Sequence, residues 1–332
     1  MNYYNQIKDI LYGVAIGDAL GLHVQFASRE IIKETPVEDM EGYGVFSKPP
    51  GYFSDDSSLT FALSEALIDG YDLDIIAQNF VKWLDEGYWT PDGEAYDIGT
   101  TTFNSITNIK EGIKPTLSGE THERSNGNGS LMRISPLIFT IMDKPIEVRF
   151  QMIKEVSSIT HRHTRSIIAC FYYLEFLRYL LDNDLDLEKH EIYHKLQKEV
   201  PKFLNNYFKE EYDKKENEGN EKDLEFNLNQ ISYFDRLLKE NIHELGEDEI
   251  NSGGYVIDTI EASIWCLLTT DNYSEAVLKA VNLGGDTDTT AAVTGGLVGL
   301  LYGFDNIPEK WIEELARSRD IDDLASRFAD SF

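Results

Sequence analysis

Apolar positions recur at helical spacing along most of the chain. Ile7, Ile10, Leu11 and Val14 form one stripe. Leu59, Ala62, Leu63, Ala66 and Leu67 form another, closed by Gly70 as a C-terminal cap. Residues 167–181, 256–268 and 291–301 are apolar enough to be buried helices, the last stopped by Gly303. Gly13, Gly17 and Gly21 stand four apart on one face of the first stripe. Glycine weakens a helix, so three in register predict a backbone approached closely by another helix or a ligand. Alternation of β type is scarce. The pattern predicts an all-α chain with long loops at 28–54 and 88–98.

One stretch breaks the pattern. Residues 209–223 read KEEYDKKENEGNEKD, charged or polar almost throughout. This predicts a solvated loop or mobile insertion between helices. Apolar periodicity resumes on both sides, at 192–207 and 231–242, so the region around 190–250 is expected to be an insertion in one domain spanning 1–332. Trp265 and Trp311 are expected in the core.

Composition narrows the partners. A hydrophobic content of 42% with 12% aromatic residues is that of a globular protein able to bury a sizeable core. The formal charge of −29 argues against a nucleic-acid backbone or an anionic membrane as main partner. A local metal site would still admit a small phosphorylated ligand. Cys170 and Cys266 are the only cysteines, which argues against a disulfide framework and fits the cytoplasm. Residues 10–22 are interrupted by Asp18 and lack a cleavage signal, so they read as a core helix and not a signal peptide. No run is long enough to span a membrane.

Two acid-plus-hydroxyl clusters carry the chemistry. Ser54-Asp55-Asp56-Ser57 and Asp286-Thr287-Asp288-Thr289 each precede an apolar helical run. Either could simply cap a helix, where Ser and Asp are preferred and carboxylates suit the dipole. Gly284-Gly285 before the second cluster exceeds what a cap needs and permits a tight turn close to a ligand. Brought together, the acids would repel and raise one another's pKa unless a hard cation joined them. Neither a phosphatase strand nor the further ligands of an EF-hand loop accompany the Asp-x-Asp-x-Thr pattern.

The chain resembles the ADP-ribosylglycohydrolase family, which includes the enzyme that removes ADP-ribose from an arginine of dinitrogenase reductase. The matching blocks run from end to end: GVAIGDALG at 13–21, SDDSSLT at 54–60, DIGTT at 97–101, NGNGSLMRISP at 126–136, THRH at 160–163, GYVIDTIEA at 254–262, and residues 281–303. The resemblance implies one compact multi-helix orthogonal bundle with a dimetal cleft that holds two divalent cations, Mg²⁺ or Mn²⁺. It implies a hydrolase that cleaves the glycosidic bond at C1″ of ADP-ribose in an ADP-ribosylated protein or other conjugate. Nucleic acid is then expected only as an ADP-ribosylated substrate.

Carried over by position, the metal ligands would be Ser54, Asp55, Asp56, Asp286, Asp288 and Thr289. Ser54 stands where the family usually has threonine and keeps the hydroxyl. Many members have a glutamate at the position of Gln25, in some the proposed acid–base. An amide shuttles no proton at neutral pH, so the resemblance moves that role to Asp97; the competing reading of Asp97 is an N-cap. The loss of the glutamate also admits an alternative, a catalytically weak ADP-ribose-binding protein that keeps its metals. Gly127, Asn128, Gly129, Ser130 and Met132 would face the ADP-ribose, with the turn at 126–133 entering a helix and its amides on the diphosphate. Arg133 is either a ligand contact or half of a buried ion pair. His161 would lie in the substrate cleft, His163 is unassigned, and Tyr255 is either a core aromatic or the residue beside the adenine.

Overall fold

The computed structural model describes residues 3–182, 185, 187–214 and 221–332. Its longer helices, in chain order, are α1 (Tyr4–Gly21), α2 (Asp55–Leu67), α3 (Leu73–Glu86), α4 (Thr100–Lys110), α5 (Ile146–Ser158) and α6 (Thr164–Leu181). They continue with α7 (Lys189–Asp213), α8 (Glu221–Ser232), α9 (Val256–Leu268), α10 (Tyr273–Asn282), α11 (Thr287–Tyr302) and α12 (Ser318–Asp330). Among the described residues there is no strand, only isolated bridges from Glu120 to His161 and from Gly127 to Tyr255. The fold is an all-α bundle, as the apolar stripes predict. One buried apolar cluster reaches from Ile7 to Ala329 and includes Trp265 and Trp311.

The central contact is α1 against α11. The glycine register explains it. A Cβ on Gly13 would stand 2.2 Å from the Gly295 carbonyl oxygen, and one on Gly17 would stand 2.1 Å from that of Ala291. At Gly21 it would meet the Asp288 amide at 2.4 Å. The partner predicted for the three glycines is therefore a helix, and that helix begins with the second acid cluster. Close backbone packing fixes where Asp288 sits relative to Asp18 on α1.

Three expectations change. The 28–54 stretch contains a short helix, Arg29–Glu34. The charged stretch is not wholly a loop: α7 runs on to Asp213, and α8 begins at Glu221. Residues 215–220 of that expectation lie outside the described residues. The apolar side of α7 (Ile192, Leu196, Val200, Leu204) anchors the helix, and lysine and glutamate extend it because they are good helix formers even when fully solvated. The 126–133 turn leads into further turns and then the 3₁₀ segment Ser135–Leu137, not directly into an α-helix.

Candidate metal centre and cleft

Both acid clusters lie at helix starts, and they meet. Ser54 is the N-cap of α2, with its Oγ accepting from the Asp56 amide at 3.3 Å. Asp286 occupies the N-cap position of α11 but makes no side-chain cap bond, which leaves its carboxylate for the site. Ser54 Oγ donates to Asp56 Oδ2 at 2.9 Å, and Thr289 Oγ1 reaches the same oxygen from the other helix at 3.4 Å. Ser54, Asp55, Asp56, Asp286, Asp288 and Thr289 are all buried. Capping therefore accounts for Ser54 and for little else.

Sequence reading missed Asp18, which there only interrupts an apolar helix. Here its carboxylate ties α1 to the start of α2. It accepts from the Ser54 amide at 2.9 and 3.0 Å, the Ser57 amide at 3.0 Å and Ser57 Oγ at 2.6 Å. One oxygen each from Asp18, Asp56 and Asp288 lie within 4.8 Å of one another. Asp56 Oδ1 and Asp288 Oδ2 are buried with no hydrogen-bond partner among the described residues.

Electrostatics make this cluster costly on its own. Burial first, then neighbouring carboxylates, drive Asp55, Asp56 and Asp288 well above the usual carboxylate range. Burial lifts Asp18 to about 6 in spite of the hydrogen bonds from Ser57 and Ser54. Orphaned, mutually repelling oxygens around a small gap fit a hard cation, and the all-oxygen donor set favours Mg²⁺-like ions over zinc.

Above the acids lies a cavity of about 260 Å³, whose walls include Gln25, Asp55, Asp97, Asp286 and Thr289. The Gly284-Gly285 turn positions one wall. Both glycines have positive φ (74° and 77°), and Gly285 exchanges backbone bonds with Phe26 and Ala27. The close approach expected there is thus to protein backbone. Asp97 does not cap α4, since Gly99 holds that position. With φ at 54°, it turns toward Gln25, whose Nε2 donates to Asp97 Oδ2 at 2.8 Å and to Asp286 Oδ1 at 3.3 Å. Tyr96 holds this loop on the acid cluster by donating to the Phe53 carbonyl. Burial raises the Asp97 carboxyl, although the hydrogen bond from Gln25 pulls the other way.

The opposite wall is the glycine-rich loop, with Gly127, Asn128, Gly129 and Met132 lining the cavity beside His161. The Asn128 side chain is committed to Asp286 Oδ2 at 2.6 Å and Thr259 at 2.9 Å, and its amide donates to Gly254 at 3.1 Å. The Gly127, Gly129 and Ser130 amides donate to no backbone carbonyl among the described residues. The Ser130 side chain turns away from the cavity toward Ser157 and Cys170. At Gly129 a Cβ would stand 2.8 Å from the His161 ring, so glycine is what lets loop and histidine share the wall. Burial, helped by nearby Arg133, lowers His161 to about 3 and keeps it neutral.

Neither expectation for Arg133 holds. It is fully buried, donates to the Gly129 and Val156 carbonyls, and lies 4.8 Å from the Phe80 ring, with no carboxylate at ion-pair distance among the described residues. It braces the loop from behind. His163 caps α6 by accepting from the Arg165 amide at 3.2 Å. Tyr255 is half-buried at the N-cap of α9, and its hydroxyl accepts from Arg165 at 3.2 Å. Exposed Arg124 and Phe26 complete the mouth.

Buried acids from two helices beneath a polar cleft are the arrangement of a metal-assisted hydrolase. The profile of the ADP-ribosylglycohydrolase family matches residues 1–332, and the chain belongs to that family. It is 32% identical over 329 residues to ADP-ribosylarginine hydrolase Tri1 of Serratia proteamaculans (strain 568), covering 97% of this chain and 78% of that protein. It is 26% identical to the ADP-ribosyl-[dinitrogen reductase] glycohydrolase of Rhodospirillum rubrum, covering 91% and 87%. A solved ADP-ribosylglycohydrolase-related protein complex matches with a TM-score of 0.77 at 23% identity over 99% of each chain, a likeness of fold.

Proposed function

We propose that this protein releases ADP-ribose from arginine side chains by hydrolysing the N-glycosidic bond at C1″, in the cytoplasm and with two divalent cations, Mg²⁺ or Mn²⁺. The observation that carries the proposal is the convergence of two buried acid clusters under one polar cavity. The relative named for ADP-ribosylarginine hydrolysis, alike over nearly the whole chain, supports arginine as the acceptor. One domain spans 1–332 in this reading, with the charged insertion around 190–250, in keeping with the continuous apolar cluster.

Ser54, Asp55, Asp56, Asp286, Asp288 and Thr289 would hold the cations, and Asp18 would fix the first three through the α2 amides. When bound, the cations supply Lewis acidity and a template for the ribose hydroxyls. Asp97 is the acid–base. Gln25 engages its Oδ2, which leaves Oδ1 to take a proton from the attacking water and return it to the leaving nitrogen. A carboxyl raised by burial suits that exchange near neutrality. The amides of Gly127, Gly129 and Ser130 face the diphosphate, and exposed Arg124 supplies a positive charge at the mouth. Neutral His161 and Met132 shape the ribose side, and Tyr255 flanks the adenine.

Gln25 supports the second reading, an ADP-ribose binder with weakened chemistry. The deciding experiment follows ADP-ribose release from an ADP-ribosylated arginine peptide and from other linkages. Asp97→Asn should lower kcat by about 10²- to 10⁴-fold with metal affinity nearly kept. A wild type inert on every linkage, together with activity created by Gln25→Glu, would establish the binder instead.

A further inference from the structure

Three of the chain's seven histidines meet on elements that contribute nothing to the cleft. His190 and His194 stand four apart at the start of α7, the spacing that places two side chains on one helical face. His243 faces them from the 3₁₀ turn Ile242–Glu244. The His190 and His243 ring centroids are 4.8 Å apart, and those of His194 and His243 are 6.2 Å apart. Two imidazoles on one tetrahedral ion, with metal–nitrogen bonds of about 2.0–2.1 Å, hold their centroids roughly 5 Å apart. The first pair is already at that spacing. The exposed His194 is the ring that must turn inward to complete the set.

Hydrogen bonding prepares the His194 ring for this. His194 Nδ1 lies 3.1 Å from Gln197 Oε1. An oxygen acceptor keeps the proton on one ring nitrogen and leaves the other with its lone pair free, the outer support that metal-bound histidines have. His243 Nδ1 is buried without a partner among the described residues. The ammonium of Lys189, which precedes His190 in the chain, is taken up by the Thr270 carbonyl and Asp271.

We propose that His190, His194 and His243 form a second cation site, separate from the acid centre, that takes a borderline transition ion such as Zn²⁺ with water completing its coordination. Imidazole ligands suit that class of ion, whereas the carboxylates of the cleft suit Mg²⁺. A bound ion would clip the start of α7 to the segment that follows α8 and so fasten the insertion to the bundle. Its loss should leave the acid centre intact.

The test is calorimetric titration of Zn²⁺ into the full chain in excess Mg²⁺. The expected result is one Zn²⁺ per chain, with affinity falling about tenfold or more in His190→Gln and in His243→Gln. The Mg²⁺-dependent rise in Tm should persist in both variants, which also shows that they fold. His194→Ala repeats the test at an exposed position. Co²⁺ should give visible absorption bands in the wild type that all three variants lose. Absence of Zn²⁺ binding by the wild type, equal binding by the variants, or binding abolished by Asp56→Ala alone would overturn the proposal.

Discussion

Asp18→Asn separates the cost of assembling the acid centre from its capacity to hold cations. An asparagine whose oxygen stays with Ser57 must set its amide against the Ser54 N–H, which now donates to both carboxylate oxygens. One orphaned buried donor costs about 1–3 kcal/mol. Against this, burial lifts Asp18 from 3.8 to about 6, so keeping it ionised at neutral pH costs roughly 3 kcal/mol, which the amide removes. The two effects nearly cancel, and without divalent cations the variant should differ from wild type by no more than about 1–2 kcal/mol. Cations shift the balance. The Asp18 carboxylate lies within 4.8 Å of those of Asp56 and Asp288, and a unit charge at such range acts on a divalent ion by several kcal/mol at an effective dielectric near 20. Even after screening, affinity should fall about 100-fold. At a Mg²⁺ concentration about 100 times its wild-type Kd, the wild type gains about 2.7 kcal/mol and the variant only about 0.4. Thermal unfolding at pH 7.5, with and without Mg²⁺, measures both quantities. A full Mg²⁺ shift in Asp18→Asn, or a large destabilisation without cations, would refute the reasoning.

Further outcomes follow from the same geometry. A carboxyl whose folded pKa is raised binds its proton more tightly in the folded chain, so its contribution to stability is present below about pH 4 and lost as pH rises through about 6. Without cations, the stability of wild type relative to Asp18→Asn should therefore fall by up to roughly 3 kcal/mol between those values, read from urea unfolding at a series of pH values. Gly17→Ala would drive a Cβ to 2.1 Å from the Ala291 carbonyl oxygen, so α1 and α11 must part. A loss of about 1–3 kcal/mol is expected, and weaker Mg²⁺ binding with it, because α11 carries Asp288. Gln25→Glu would place a third carboxylate where Nε2 now lies 2.8 Å from Asp97. The acid limb of the pH–rate profile should move up by about one unit or more.

The helices were legible because their apolar faces repeat every three or four residues, as at Leu59, Leu63 and Leu67. The acid clusters were legible because Ser54–Asp56 and Asp286–Thr289 are contiguous and head helices. Asp18 was not, since its partners Ser54 and Ser57 lie more than thirty residues away and only the packing of α1 brings them close. The glycine register announced a close approach but could not name α11 as its partner. Arg133 misled because a buried guanidinium can be satisfied by carbonyls and an aromatic face as well as by a carboxylate. At Lys209–Asp213 composition pointed to a loop, yet the apolar stripe beginning at Ile192 carries the helix onward.

The account's central claim is tested most directly by turnover of an ADP-ribosylated arginine peptide as a function of Mg²⁺, in wild type and in Asp288→Asn. Asp288 offers a buried oxygen without a hydrogen-bond partner among the described residues, at the meeting point of both clusters. Saturable Mg²⁺-dependent release of ADP-ribose by the wild type, abolished by EDTA and absent from the variant at every Mg²⁺ concentration, is the predicted result. Release that survives EDTA, or that persists in Asp288→Asn, would contradict it.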